Sequence, residues 1–254
     1  MKTNQRSTVL VTVMSGLIGG VLRRQLGGAY ELRALGRRRV AGVSTHVADI
    51  ASLDAIEPAF AGVDVVVHLA AAVDGSAGLD ELLGPNIVGA YNVLEAARRA
   101  GVRRVVLASS GAVVAGYECE PPYQTMAAGR YGDVSAWETL THVSPPRPSS
   151  LYGCSKVWGE ALGRYYADAH GLSVICLRIG HVTAADRPAA SRDFCVWCSQ
   201  RDVGRMIEAC VAAPASVRFD VFFAVSNNRW GYRDLTHARE VLGWVPLDAA
   251  EDHR

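Results

Sequence analysis

No apolar run in the 254-residue chain approaches the roughly 18 residues that a membrane-spanning helix needs. The opening "MKTNQRST" lacks the apolar core of an export signal. A soluble, cytoplasmic protein with no membrane partner is the expectation. An excess of one charge is missing too: the formal net charge is +1. The densest basic stretch, Arg37-Arg38-Arg39, is too short for a polyanion groove, so nucleic acid is not expected as a partner. Cysteine is thinly spread, with six residues at Cys119, Cys154, Cys176, Cys195, Cys198 and Cys210, and reduced thiols are expected. Cys195 and Cys198 form a C-x-x-C, yet no second such pair or His-rich segment lies nearby. Neither a metal site nor a redox pair is therefore expected. Internal repeats and low-complexity segments are absent, and the length suits one domain, with at most a small appendage.

What is present is an alternation of short apolar strands with helical patterns through the first 180 residues, which indicates β-α-β units and a parallel sheet. Strands are expected near 8–12, 30–35, 45–48, 64–68, 104–108 and 173–179. "VDVVVHLA" and "RRVVLAS" are nearly continuous apolar runs, as strands covered on both faces require. "GPNIVGAYNVLEAARRAG" reads as a helix with Pro85 in its first turn and Gly101 as its stop. From residue 117 to 148 the chain is rich in Pro, Gly and aromatics without a clean period, and a lid-like insert beside a pocket is expected. Beyond residue 180, "SQRDVGRMIEACVAAP" and "YRDLTHAREVLGW" read as helices around a strand, "FDVFFAVS". The expected fold is α/β, a Rossmann-type doubly wound parallel sheet over residues 1–180. A small C-terminal substrate-binding portion, 181–254, would pack on that domain and close the pocket.

Chemistry enters with "LYGCSKVWGEALGRYYADAHG", where Tyr152 and Lys156 stand at i and i+4 and share one helix face. An ammonium beside a phenol stabilises the phenolate, so Tyr152 is expected to have a lowered pKa and to act as an acid or base near neutral pH. Upstream, "RRVVLASSGAVVAG" delivers Ser109 and Ser110 to the carboxyl end of a strand, where open parallel sheets bind ligands. A hydroxyl there can bond a substrate oxygen while Tyr152 moves the proton. "TVLVTVMSGLIGG" supplies a strand, a glycine turn and the start of a helix, the arrangement that cradles a dinucleotide pyrophosphate.

Seven motifs occur in order: "VTVMSGLIG", "VADI", "VVVHLAA", "NIVGAYNVLEAA", "VVLASS", "YGCSK" and "LRIG". Together they make nearly the whole chain resemble the extended short-chain dehydrogenase/reductase superfamily, in its NAD-dependent epimerase/dehydratase branch. "SQRD" and "LGWVP" look most like the uronate-dehydrogenase-like group within it. The resemblance implies that Ser110 polarises the reacting C–O group, with Ser109 as the alternative. Tyr152 would be the general acid/base, and Lys156 would hold the nicotinamide ribose and tune Tyr152. It further implies that Gly16, Leu17, Ile18 and Gly19 line the pyrophosphate, and that Asp49 and Ile50 border the adenine. Leu69, Ala70 and Ala71 would lie along the cofactor, Asn86 would brace the strand ends, and Ile179 with Gly180 would flank the nicotinamide. Arg192 matches the arginine that grips the sugar carboxylate in uronate dehydrogenases, and His181 faces the expected pocket. Relatives dimerise through the two helices that begin at "GPNIVGAY" and "SLYGCSK", so a homodimer is expected.

Departures from the family pattern fall on the cofactor and substrate sites. Val13 takes the place of the first glycine of the turn, and Gly36, followed by Arg37 and Arg38, replaces the acidic residue that would bond the adenosine ribose. Guanidinium groups there suit a 2′-phosphate, so NADP(H) is expected over NAD(H), with binding weakened by Val13. Gly111 and Ala112 stand where polar substrate contacts would follow the catalytic serine, and Val73 replaces a hydroxyl. A sugar acid is thus not supported, and a less polar small molecule is expected as substrate. The leading expectation is an NAD(P)-dependent oxidoreductase acting on a secondary alcohol or ketone. Two alternatives remain open: a non-redox isomerase, lyase or cyclase using Tyr152 and Lys156 (or an epimerase with transient oxidation), and a non-catalytic nucleotide sensor.

Overall fold

The structure, a computed structural model, describes residues 6–73 and 75–254; the amino-terminal reading above rests mostly on residues outside that range. Seven strands, β1 (Thr8–Thr12), β2 (Glu31–Gly36), β3 (Ser44–Val47), β4 (Val65–His68), β5 (Arg104–Ser110), β6 (Ser173–Ile179) and β7 (Phe219–Ala224), form one sheet in the order β3-β2-β1-β4-β5-β6-β7. All six pairings are parallel. The order reverses between β1 and β4, so a crevice opens at their carboxyl ends, the place where such sheets take ligands. Strand β7 comes from the C-terminal part, which thus completes the sheet rather than only capping it.

Alternation along the strands sends side chains into two separate cores. Val9 and Val11 of β1 meet α1 (Leu17–Leu26) and α8 (Gln200–Ala212) on one face. Leu10 and Leu35 meet α2 (Leu53–Ile56), α4 (Gly89–Arg99) and α6 (Leu151–His170) on the other. Both faces are covered, which is why β1, β4 and β6 are buried throughout. Helix α1 reaches β1 closely because residue 19 is glycine: a Cβ there would stand 2.5 Å from the Met14 Cα.

One helix departs from the sequence reading. The turn at Pro85 is not the start of the helix; α3 (Leu79–Leu82) precedes it, and a π-helical stretch, Leu83–Val88, leads into α4. The wider turn accommodates a residue that has no N–H to give and whose ring would clash with the preceding turn.

Residues 117–148 carry α5 (Tyr123–Ala127) and a third hydrophobic cluster in which Met126 and Leu140 join Val113, Val196, Phe223 and Tyr232. The insert is tied to the segment before α9 (Thr236–Leu242). The Leu140 amide donates to the Tyr232 carbonyl at 2.7 Å, and the Trp137 indole donates to the Gly231 carbonyl at 3.1 Å. The short α7 (Asp193–Val196) contributes Cys195 and Val196 to the same cluster. Burial pushes the Cys195 thiol up to about 12 and the Cys198 thiol well above its ordinary value. Among the described residues no helix is long and apolar enough to cross a membrane, and no group of three or more His, Cys, Asp or Glu is placed to hold a metal ion.

Helix α6 is fixed to the sheet by a buried ion pair. Glu160 accepts two bonds from the Arg178 guanidinium, at 2.9 and 2.8 Å, and a third from the Ser109 hydroxyl at 2.6 Å. Replacing Glu160 by Ala strands the Arg178 charge in the interior, and a loss of about 3–5 kcal/mol in unfolding free energy is expected from urea titration. The double variant Glu160→Leu/Arg178→Met, which removes both charges, is expected to recover most of that loss.

Candidate active site

A cavity of about 570 Å³ opens at the carboxyl ends of β1, β4, β5 and β6. Its first wall is the turn after β1. Val13 holds that turn with φ +52°, its amide donating to the Leu35 carbonyl at 2.8 Å and its carbonyl accepting from the Gly16 amide at 3.0 Å. This left-handed conformation is one a β-branched residue adopts only at a cost of about 1–3 kcal/mol. The strain is met on folding and is the same with or without a ligand. What affects a ligand is the Val13 side chain, which lines the cavity beside Gly16, Leu17, Ile18 and Gly19. Gly16 precedes α1 without a side-chain cap, and the first turn of α1 holds no acidic residue. The amides there are free to receive a phosphate, and the helix dipole favours one.

The second wall follows β4. Thr12 Oγ1 accepts from the amides of Leu69 and Ala70, each at 2.9 Å, and lies 3.1 Å from His68 Nδ1. With two amides donating to it, the hydroxyl gives its own proton to Nδ1, which places the His68 proton on Nε2. Burial and the nearby Lys156 hold His68 neutral, with its pKa lowered to about 3. Leu69 and Ala71 then face the cavity, whereas Ala70 is buried in the core. Asn86 sits beneath this wall as a brace: it accepts from the Ala72 amide at 2.8 Å and donates to the Ala72 carbonyl at 3.0 Å and to Ser155 Oγ at 2.9 Å.

The third wall carries the chemistry. Both serines border the cavity, but successive strand residues point to opposite faces, and the Ser109 hydroxyl is bonded to Glu160 while that of Ser110 is not. Ser110 and Tyr152 line the cavity together, and Ser110 Oγ accepts from the Ala112 amide at 3.1 Å. Lys156 Nζ donates to the Ala108 carbonyl at 2.8 Å and lies 5.6 Å from the Tyr152 ring centroid. Burial lowers the Lys156 pKa to about 8. The expected lowering of the Tyr152 pKa by Lys156 is corrected here: burial raises it above the ordinary phenol value, and the neighbouring Ser110 hydroxyl offsets only part of that rise. Desolvation outweighs an ammonium that is turned toward a carbonyl.

At the far end, Ile179, Gly180, His181 and Val73 line the cavity. His181 Nδ1 lies 2.6 Å from Asp193 Oδ1, and the other Asp193 oxygen accepts from the amides of Ala189 and Ala190. The remaining expected site residues stand outside the cavity. Arg37 and Arg38 are exposed past the end of β2, with no hydrogen-bond or ion-pair partner among the described residues. Asp49 is exposed and accepts from the Ala51 amide, and Ile50 is buried under α4. Gly111 is buried against Arg233. Arg192 is held in a two-pronged bond with Glu118, at 2.5 and 2.9 Å. Glu118, Arg233, Asp193 and Glu160 escaped the sequence reading, since each acts on a partner at least twelve residues away and none belongs to a local pattern.

A sheet of this order, a glycine turn opening on an uncapped helix, and Ser110, Tyr152 and Lys156 on one cavity define a dinucleotide-dependent oxidoreductase of the short-chain type. The family model of the NAD dependent epimerase/dehydratase family matches residues 9–241. The chain belongs to that family, within the extended short-chain dehydrogenase/reductase superfamily, and is an oxidoreductase. It is 34% identical to the NAD-dependent glucose-6-phosphate dehydrogenase of Haloferax volcanii, over 94% of this chain and 93% of that one. It is 35% identical to the L-arabinose 1-dehydrogenase (NAD(P)(+)) of the same organism, over 94% and 96%. Among solved structures it is similar to the uronate dehydrogenase of Agrobacterium tumefaciens, with TM-score 0.84 and 35% identity over 98% of this chain and 87% of that one.

Two substitutions at Val13 separate its two effects. Val13→Gly relieves the left-handed strain at some cost in chain entropy, and a net gain of about 1 kcal/mol in unfolding free energy is expected. Val13→Ala keeps the strain and removes the isopropyl bulk. It is expected to tighten dinucleotide binding without raising the melting temperature, as read by fluorescence titration and thermal unfolding.

Proposed function

We propose that the protein interconverts a secondary alcohol and its ketone, or a cyclic hemiacetal and its lactone, on a sugar-sized substrate, with Tyr152 as general acid and base. The observation that carries this reading is that Ser110, Tyr152 and Lys156 line one cavity with the glycine turn that opens α1. The residues fit a dinucleotide: the α1 amides would hold its pyrophosphate, Leu69 and Ala71 would flank it, and Lys156 would bond its ribose. When bound, it supplies the hydride acceptor or donor at its nicotinamide. Ser110 donates to the substrate oxygen and orients it toward Tyr152. In reduction, Tyr152 gives its proton to the developing alkoxide. In oxidation, it takes the hydroxyl proton and must first be ionised. Because burial raises the Tyr152 pKa, kcat/KM for oxidation rises with pH and kcat/KM for reduction falls.

NADP(H) is the preferred dinucleotide in this reading. Arg37 and Arg38 stand unpaired where β2 ends, and no carboxylate occupies that strand end to bond a ribose 2′-hydroxyl. The relatives' names include sugars with and without a charged group, which supports a sugar-class carbinol as substrate.

Tryptophan quenching on titration with NADPH and NADH tests the cofactor. Tighter binding of NADPH is expected, and Arg37→Ala/Arg38→Ala should cut NADPH affinity about tenfold while leaving NADH affinity nearly unchanged. No binding of either nucleotide at millimolar concentration overturns the reading. Tyr152→Phe should retain nucleotide binding and lose about 10²–10⁴ in kcat.

We also propose a homodimer. Tyr91 on α4 and Leu151, Trp158 and Tyr165 on α6 are between 40% and 56% exposed, an apolar area that a second copy would cover. Light scattering is expected to give twice the 27.1 kDa chain mass, and a monomer at micromolar concentration refutes it.

A further inference from the structure

Four cations belong to the elements that end at the substrate side of the cavity: Lys156, Arg178, Arg192 and Arg233. Three of them have hydrogen-bond partners, although Arg178 Nη1 is buried without one. Lys156 donates to the Ala108 carbonyl, and Arg178 is bonded through two nitrogens to buried Glu160. Arg192 is bonded through two nitrogens to Glu118. Arg233 is 4% exposed, and its Nε and Nη2 are covered and without a hydrogen-bond partner. Its Nη2 lies 3.6 Å from the same Glu118 oxygen that bonds Tyr232 Oη at 2.6 Å. Arg233 packs so tightly on Gly111, the residue after Ser110, that a Cβ there would stand 2.5–2.7 Å from the guanidinium atoms. Glu118 is thus the carboxylate that both arginines share, about two contact lengths from the chain that carries Ser110.

Arg192 is the one arginine of these with a substantially accessible head, its side chain 41% exposed, and it lies next to Asp193, which holds cavity-lining His181. An acidic substrate could recruit Arg192 only by displacing Glu118, a carboxylate 12% exposed that would then be left buried and unpaired. Displacing a charge-assisted, two-pronged bond gains the substrate nothing unless it forms a better one.

We propose that Glu118 is a specificity-determining residue: by holding Arg192 in a two-pronged bond beside the cavity, it withholds that exposed guanidinium from an acidic group and selects an uncharged polyhydroxy substrate over a carboxylated or phosphorylated one. This rests on the dehydrogenase reading and names its substrate class.

Calorimetric binding of matched sugars, in the presence of saturating NADPH or NADH, tests it. The pairs are D-galactose with D-galacturonate, D-glucose with D-glucuronate, and D-glucose with D-glucose 6-phosphate. The wild-type protein is expected to bind the neutral member of any recognised pair about tenfold or more tightly than the acidic one. Glu118→Gln keeps the shape and drops the charge, and should move that ratio about tenfold toward the acidic sugar. Glu118→Asp should retain the wild-type ratio, and Glu118→Gln/Arg192→Ala should lose the gain. Preference of the wild-type protein for an acidic sugar overturns the inference and leaves the dehydrogenase reading intact, as does a ratio unmoved by Glu118→Gln. Binding of the nucleotide with no sugar of either kind overturns the substrate class itself. The wild-type ratio needs no variant, so the test stands even if Glu118→Gln fails to fold.

Discussion

The ion pair between Glu160 and Arg178 is the contact on which the geometry of the site depends. It joins the middle of α6 to β6, and through the Ser109 hydroxyl it joins both to β5. Lys156 and Tyr152 lie about one and two turns from Glu160 on the same helix, so their height above the sheet is set by that anchor. Ser110 is set by it as well: once Ser109 is drawn to the buried carboxylate, strand alternation leaves the next hydroxyl facing the cavity. A pair buried this deeply costs desolvation, and its return is a single register between helix and sheet.

A second layer of polar contacts holds the cavity open from below. Thr12 and Asn86 satisfy the backbone of the segment leaving β4, which would otherwise have unpaired amides at the lip of a crevice. These contacts make Leu69 and Ala71 a fixed wall. The electrostatics of the wall opposite follow from burial more than from pairing. Desolvation lowers Lys156, raises Tyr152 and keeps His68 neutral, so the cavity favours uncharged forms of its own side chains.

Much of this was legible in the sequence where neighbours in the chain are neighbours in space. The strands announce themselves by apolar runs, and β4, β5 and β6 begin within a residue of where those runs place them. Tyr152 and Lys156 could be paired because one helical turn joins them. The family resemblance favoured Ser110 over Ser109, but the bond that occupies Ser109 could not be read, since its partner Glu160 is 51 residues away on another element. Arg192 could be found but not its partner, because nothing local distinguishes Glu118 from any exposed glutamate. The sign of the Tyr152 shift was misread for a related reason: spacing along a helix says that two groups share a face, not where the flexible one points. Val13 could be flagged as the wrong residue for its turn, yet only the backbone shows that it takes up the left-handed conformation and leaves the turn intact.

The third hydrophobic cluster has a consequence for how the molecule opens. Val113, Met126, Leu140, Val196 and Tyr232 bury one another and share no member with the two cores that flank the sheet. The cluster rests on the sheet through Phe223 of β7, and a region with its own small core opens with a free energy below that of the whole chain. Amide exchange in 123–140 should therefore be correlated across that stretch and faster than in β1 or β6.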